Sequence, residues 1–435
     1  MHKIAAIAAM TIRTVMRSRV FAAAAFFLII VMAGLPFIIE GDGTLESRAS
    51  IFIDYACGLL MFILSLAATW CGAGAISLEI SGGQMQSLVS KPLRSAQIWT
   101  GKLLGLMTIN LLLLVLGGGL ICAMLHWTLR PAGINIARQY DARREIMTVY
   151  RTIPPLSYNR SAGGGKTSSP QGGVAAAIGP GQSFRWRFNP ARHATDRQFA
   201  LLKFRFIPSP FSHQSPVTGV WRVFNEKGGV ILNKSVTSSP NMACYLTVPK
   251  PDTAGFLELE YLNLQTNPPV TVFFPSENEL SLLIPESTFT ANLLRGLIMG
   301  FARLAFFASL GMLAGTLFTF PVAVFTSMGL MAIAFSGGFM HQLAERGLLT
   351  NAAQEQAAPA AILLNEMVRA SFHFLAAVLP PLDRFDPLAF LADKLFIPWN
   401  LAGQSLAVLC GLYPLILILI GAGCLSRREA GLLSQ

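Results

Sequence analysis

Apolar and polar positions along this chain follow two different regimes. Six runs are nearly free of charge, at 20–39, 55–77, 103–125, 296–318, 322–340 and 401–425. Each suffices to cross a hydrocarbon layer about 30 Å thick, which takes about 20 helical residues. Between the third and fourth runs the period changes to two. Phe184, Trp186 and Phe188 alternate with Arg185 and Arg187, Phe204 and Phe206 with Lys203 and Arg205, and Leu257, Leu259 and Tyr261 with Glu258 and Glu260. Such alternation predicts half-buried strands, with further candidates at 217–224, 244–248 and 270–274. The predicted fold class is an α-helical polytopic membrane protein. It has about six transmembrane helices in a 3+3 arrangement and an inserted extracytoplasmic β-sandwich of jelly-roll-like form.

The pattern divides the chain further. In residues 1–19, Ile4, Ile7, Ala8, Ile12 and Val15 share one helical face while Lys3, Arg13 and Arg17 lie elsewhere. That distribution predicts an amphipathic helix in the membrane interface. Residues 20–125 form a first membrane half, with a cytoplasmic loop at 78–102. The inserted domain, 126–291, reads as a polar helix at 135–151, a Pro/Gly/Ser linker at 154–181 and the β-sandwich from about 182. A second membrane half covers 292–425, and 426–435 is a cytoplasmic tail. Within the second half, 341–400 reads as an outer region. Its apolar stretch 361–382 is interrupted by Glu366, Arg369 and His373, as in an amphipathic or re-entrant helix. Basic residues precede the first run as they would in a signal peptide. That run lasts a full membrane thickness, so it reads as an uncleaved anchor.

Composition agrees with two solvents. Of the 435 residues, 53% are hydrophobic and only 13% charged, against about a quarter charged in soluble domains. The formal net charge of +11 could point to nucleic acid, but its placement does not. Lys3, Arg13, Arg17 and Arg19 precede the first run, Lys91, Arg94 and Lys102 follow the second, and Arg427 and Arg428 follow the last. Flanking basic residues mark cytoplasmic ends, so the bilayer is the expected partner and nucleic acid is not. The inserted domain then faces outside, in keeping with a bacterial cytoplasmic membrane. The six cysteines show neither a disulfide framework nor zinc-ligand spacing.

Two strings imitate ATP-binding motifs. Gly165-Lys166-Thr167 ends like a phosphate loop, but Arg160 occupies the position of the first glycine. The string Ile80-Ser81-Gly82-Gly83-Gln84-Met85-Gln86 is like the signature of ABC ATPases, yet it follows an apolar run directly. Neither has the soluble nucleotide domain around it that the chemistry requires. The chain is therefore expected to be no enzyme and to bind no cofactor or metal.

Four polar residues fall inside or at the edge of the apolar runs: Asp54, Asn110, Arg295 and Arg303. A charge at membrane depth costs about 2.5–3.5 kcal/mol on insertion scales, so Arg303 should face a partner, for which Asp54 is the candidate. Asn110 reads as a helix–helix hydrogen bond.

The loop SLEISGGQMQSLVSKPLRSAQIWTGKLLGL, residues 77–106, resembles the loop between the second and third spans of ABC-2 type permeases. A glutamate (Glu79), a short helix, a Lys-Pro turn (Lys91, Pro92), a basic residue (Arg94) and a Gly-Lys pair (Gly101, Lys102) appear in the family's order. The tail Ser426-Arg427-Arg428-Glu429 is similar to that family's closing motif, with Ala430 where leucine is usual. The large inserted domain resembles a variant subgroup. The resemblance implies an exporter permease driven by a separate cytoplasmic ABC ATPase, with ATP and Mg in that subunit. It also implies a second permease copy or paralogue, forming a dimer. It assigns Glu79, Gly82, Gly83, Leu88, Lys91, Pro92, Arg94 and Lys102 to the ATPase-coupling surface. Two alternatives stand beside it: a membrane anchor displaying the β domain for glycan or protein binding, and a mechanotransmission subunit of an ABC complex.

Overall fold

The structure, a computed structural model, describes residues 2–39, 45–82, 94–129, 146–159, 165–168, 174–189, 199–209, 215–224, 228–249, 256–274, 280–337, 365–371, 373 and 380–432. The chain forms two compact units. One is helical and comprises Met1–Met147, Thr290–Asp393 and Ile397–Gln435. The other is built on strands and comprises Thr148–Phe289 with Lys394–Phe396.

The helical unit follows the apolar runs. Its helices are α1 (His2–Met16), α2 (Arg19–Ile38), α3 (Leu45–Ser81), α4 (Ser95–Thr128), α5 (Phe289–Leu317) and α6 (Phe320–Phe335). The short α7 (Pro387–Ala392) follows. Next, α8 (Trp399–Ser405) continues through a π-helical stretch, Leu406–Leu412, into α9 (Tyr413–Leu432). Among the described residues, five helices are long and apolar enough to cross a membrane: α2, α3, α4, α5 and the continuous helix that opens with α8. The run expected at 322–340 gives α6, only 16 residues long. That is about 24 Å of helix, short of a 30 Å layer; residues 338–340 lie outside the described set. Phe26, Phe325 and Leu419 are 67%, 83% and 65% exposed. Apolar exposure of this extent suits lipid rather than water.

Close backbone contact joins α3 and α5. A Cβ on Gly311 would lie 2.3 Å from the carbonyl oxygen of Thr69, and one on Gly315 2.3 Å from that of Ala73. Between apolar helices in lipid, dispersion from such small-residue contact is a main source of association.

Among the described residues the β unit holds three antiparallel sheets. The first orders β1 (Thr148–Ile153), β13 (Leu280–Thr288), β6 (Phe199–Phe204) and β10 (Cys244–Pro249). The second orders β2 (Ser157–Asn159), β5 (Ser183–Phe188), β11 (Leu257–Asn263), β8 (Val217–Phe224) and β9 (Val230–Ser238). The third orders β3 (Gly165–Ser168), β4 (Val174–Ile178), β12 (Thr271–Phe274) and β7 (Ile207–Ser209). All three contribute to one core, in which Trp186, Trp221, Phe204, Tyr261 and Phe274 cluster. The period-two pattern predicts this division: Trp186 and Leu259 face the core while their neighbours face outward. There the register sets Glu258 opposite Arg187, and Glu260 opposite both Arg185 and Arg222.

Two expectations need correction. The segment 154–181, expected as a linker, supplies β2, β3 and β4, with Gly165-Lys166-Thr167 in β3. Ladder pairing forms these short strands, and Ala176 and Ile178 of β4 enter the core. The expected polar helix at 135–151 gives way to β1 from Thr148, while residues 135–145 lie outside the described set. Pairing with β13 along its length overrides the local preference. The β unit also takes in Lys394–Phe396. Tyr150 N–H donates to the Lys394 carbonyl (2.9 Å), and Phe396 N–H donates to the Tyr150 carbonyl (2.8 Å).

Candidate functional site

Of the residues predicted for coupling, Glu79, Gly82, Arg94 and Lys102 are described, and they stand at the ends of α3 and α4. Glu79 stands in the last turn of α3 and Lys102 in the third turn of α4. Lys102 is 1% exposed. Its ammonium pairs with Glu79 Oε1 and donates to the Ala75 carbonyl at 2.6 Å. Glu79 Oε2 is buried with no hydrogen-bond partner among the described residues. A buried ion pair gains little net stability, but losing one partner strands the other charge at a cost of about 3–5 kcal/mol. The pair therefore acts as a joint that resists separation of α3 from α4.

The same stretch of α4 carries α1. A Cβ on Gly101 would lie 2.8 Å from Ile7 Cβ, and one on Gly105 2.8 Å from the Ala8 carbonyl. Ile7, Thr11 and Val15, one turn apart, are buried. The face expected to lie in the membrane interface is thus spent on α4, because the two glycines let the helices approach closely. Lys3, Met10, Arg13, Met16 and Arg17 form the exposed face. Trp99 adds a third contact, for a Cβ on Gly421 would lie 2.4 Å from its ring.

Other predicted coupling residues flank this joint. Gly82 is exposed and its N–H donates to the Leu78 carbonyl at 2.9 Å. Arg94 is exposed ahead of α4, where its N–H donates to Gln97 Oε1 at 3.3 Å. Gly83, Leu88, Lys91 and Pro92 lie outside the described residues.

The membrane-edge residues are arranged differently from expectation. Arg303, 4% exposed, pairs with Asp386 at 3.2 Å and donates to the Leu382 carbonyl at 3.2 Å. Asp54 is exposed on α3 and is not the Asp that pairs with Arg303. The reason is topological: residues 380–386 fold back beside α5 and bring a carboxylate closer. Asn110 is 4% exposed, and its amide nitrogen has no acceptor among the described residues, so none of these supplies the partner expected for that nitrogen. Arg295 stacks over Trp399 at 5.1 Å. Sequence reasoning missed Asp386 and Trp399. Asp386-Pro387 does carry a helix-start signal, an N-cap residue before proline, but that signal does not name a partner.

Compared with known proteins, the chain matches no family model and no curated protein sequence.

Proposed function

We propose that this chain is the permease subunit of an ABC exporter, moved by ATP hydrolysis in a separate cytoplasmic ATPase. The observation that carries the reading is the Glu79–Lys102 joint. These residues stand at opposite ends of the loop that resembles the ABC-2 type, and an ATPase pressing on that loop would act on α3 and α4 together. Packing of α1 at Gly101 and Gly105 adds a third helix to the same base. Displacement of this base as a lever would be converted into movement of the spanning helices. In this reading six helices cross a bacterial cytoplasmic membrane, α6 among them. The β unit is an outer sandwich, and two copies or paralogues pair as a dimer. ATP and Mg belong to the ATPase.

Purification with co-expressed candidate ATPase subunits tests it. The expected result is stable copurification of one ATPase, lost when Glu79→Lys reverses the charge and regained when Lys102→Glu is added. A chain that captures no ATPase, or a Glu79→Lys variant that captures and stimulates it normally, overturns the reading.

A further inference from the structure

One segment brings irregular backbone into the helical unit. Residues 380–386 are non-helical, and Leu382, Phe385 and Leu391 are buried. The following α7 sits between α3 and α5. Leu388 comes within 3.6 Å of a Cβ built on Gly58, and Leu391 within 2.8 Å of one built on Gly296. This is the end of the unit remote from Lys102. Gly118, which meets Leu297, lies 16 residues further along α4 than Lys102, or about 24 Å. At membrane depth, non-helical backbone persists only where protein covers it or water reaches it.

Arg303 fastens this segment. Its guanidinium lies over the Phe335 ring at 5.2 Å and donates to both Asp386 and the Leu382 carbonyl. Asp386 Oδ1 also accepts the Leu388 N–H at 3.2 Å as the N-cap of α7. One carboxylate thus starts the short helix and ties it to α5. Asp383, exposed and against Gly337, adds negative charge near Arg303 but makes no hydrogen bond to it among the described residues, and Arg384 is exposed and bonded to Gln404 at 3.2 Å.

We propose that the Arg303–Asp386 pair is a latch holding residues 380–392 as a plug between α3 and α5, and that releasing it opens this end of the helical unit. The inference rests on the helices crossing a membrane and not on coupling to an ATPase, so the two can fail separately.

Cysteine accessibility in lipid nanodiscs, where both bilayer faces meet solvent, tests the latch. The six native cysteines are replaced by alanine. A reporter is then placed at Leu391→Cys or, as control, at Leu114→Cys in α4; both leucines are 1% exposed. A membrane-impermeant maleimide should label either reporter slowly in the parent protein. Asp386→Asn keeps a capping oxygen but removes the charge. It should speed labelling of the Leu391→Cys reporter about tenfold or more, as should Arg303→Leu, and leave the Leu114→Cys reporter slow. Three results would overturn the latch. They are an unchanged rate in Asp386→Asn, a rise confined to Asp386→Ala, which implicates the cap alone, and equal rises at both reporters, which indicate general loosening.

Discussion

Lys102 and Glu79 are 23 residues apart in the chain, yet the ammonium of one is buried against the carboxylate of the other and against the Ala75 carbonyl. Removing either charge alone leaves its partner stranded. Lys102→Met and Glu79→Gln should each lower stability by about 3 kcal/mol or more, and the double variant by less than the sum. Thermal unfolding of the detergent-solubilised protein measures this. Additive losses would mean that the two side chains do not depend on each other.

The contact between α1 and α4 leaves no room for a side chain at Gly105. Gly105→Leu should cost about 1–3 kcal/mol and lift α1 from its seat. Trypsin should then cut after Arg13 and Arg17 faster than in the parent, which mass spectrometry of the released peptides would register. Unchanged cleavage would show that α1 does not depend on this seat.

Two buried asparagines should respond in opposite ways. Asn263 is fully satisfied: its amide donates to the Ile178 and Val270 carbonyls at 3.0 and 2.7 Å, and its oxygen accepts from Gln265 N–H at 3.0 Å. Asn263→Leu strands all three backbone groups and should cost about 3 kcal/mol or more. Asn110 has an amide nitrogen without an acceptor among the described residues, so Asn110→Leu should leave stability unchanged or raise it. Melting curves of the two variants provide the comparison. A large loss in Asn110→Leu would reveal a partner that the described residues do not contain.

The β unit should be sensitive to alkali through Tyr261. Burial pushes the pKa of its hydroxyl above the usual tyrosine value, which is about 10. A group with a raised folded pKa contributes its full stability below the unfolded value. That contribution is lost as pH climbs from about 10 toward the folded pKa. Tyr261→Phe should therefore move the onset of alkaline unfolding to higher pH, read by tryptophan fluorescence. An unshifted onset would assign alkaline unfolding to other groups.

Charge sign and residue order made the pair at Glu79 and Lys102 legible as a candidate site. Its geometry was not, since burial of Lys102 depends on how α3 and α4 pack. Arg303 was legible as a residue needing a partner, because charge in an apolar run is costly. Its partner was not. Asp54 is nearer in the run pattern, but Asp386 arrives through a fold-back of residues 380–386 that no local periodicity encodes. The strands at 157–159, 165–168 and 174–178 were missed for a related reason. Their glycine, asparagine and alanine residues carry little strand preference of their own, and ladder pairing makes them strands: β2 with β5, β4 with β12, and β3 with β4.

By itself the sequence determined five of the long apolar helices, the period-two alternation of β5, β6 and β11, and which side of those strands enters the core. These are local consequences of hydrophobic spacing, and each residue contributes whatever its distant neighbours do. Tertiary structure alone decided which glycines receive α1, which carboxylate meets Arg303, and that Lys394–Phe396 joins the β unit. Such contacts depend on the relative placement of segments far apart in the chain. Close packing and the need to pair buried polar groups select that placement, and neither is written in a local pattern.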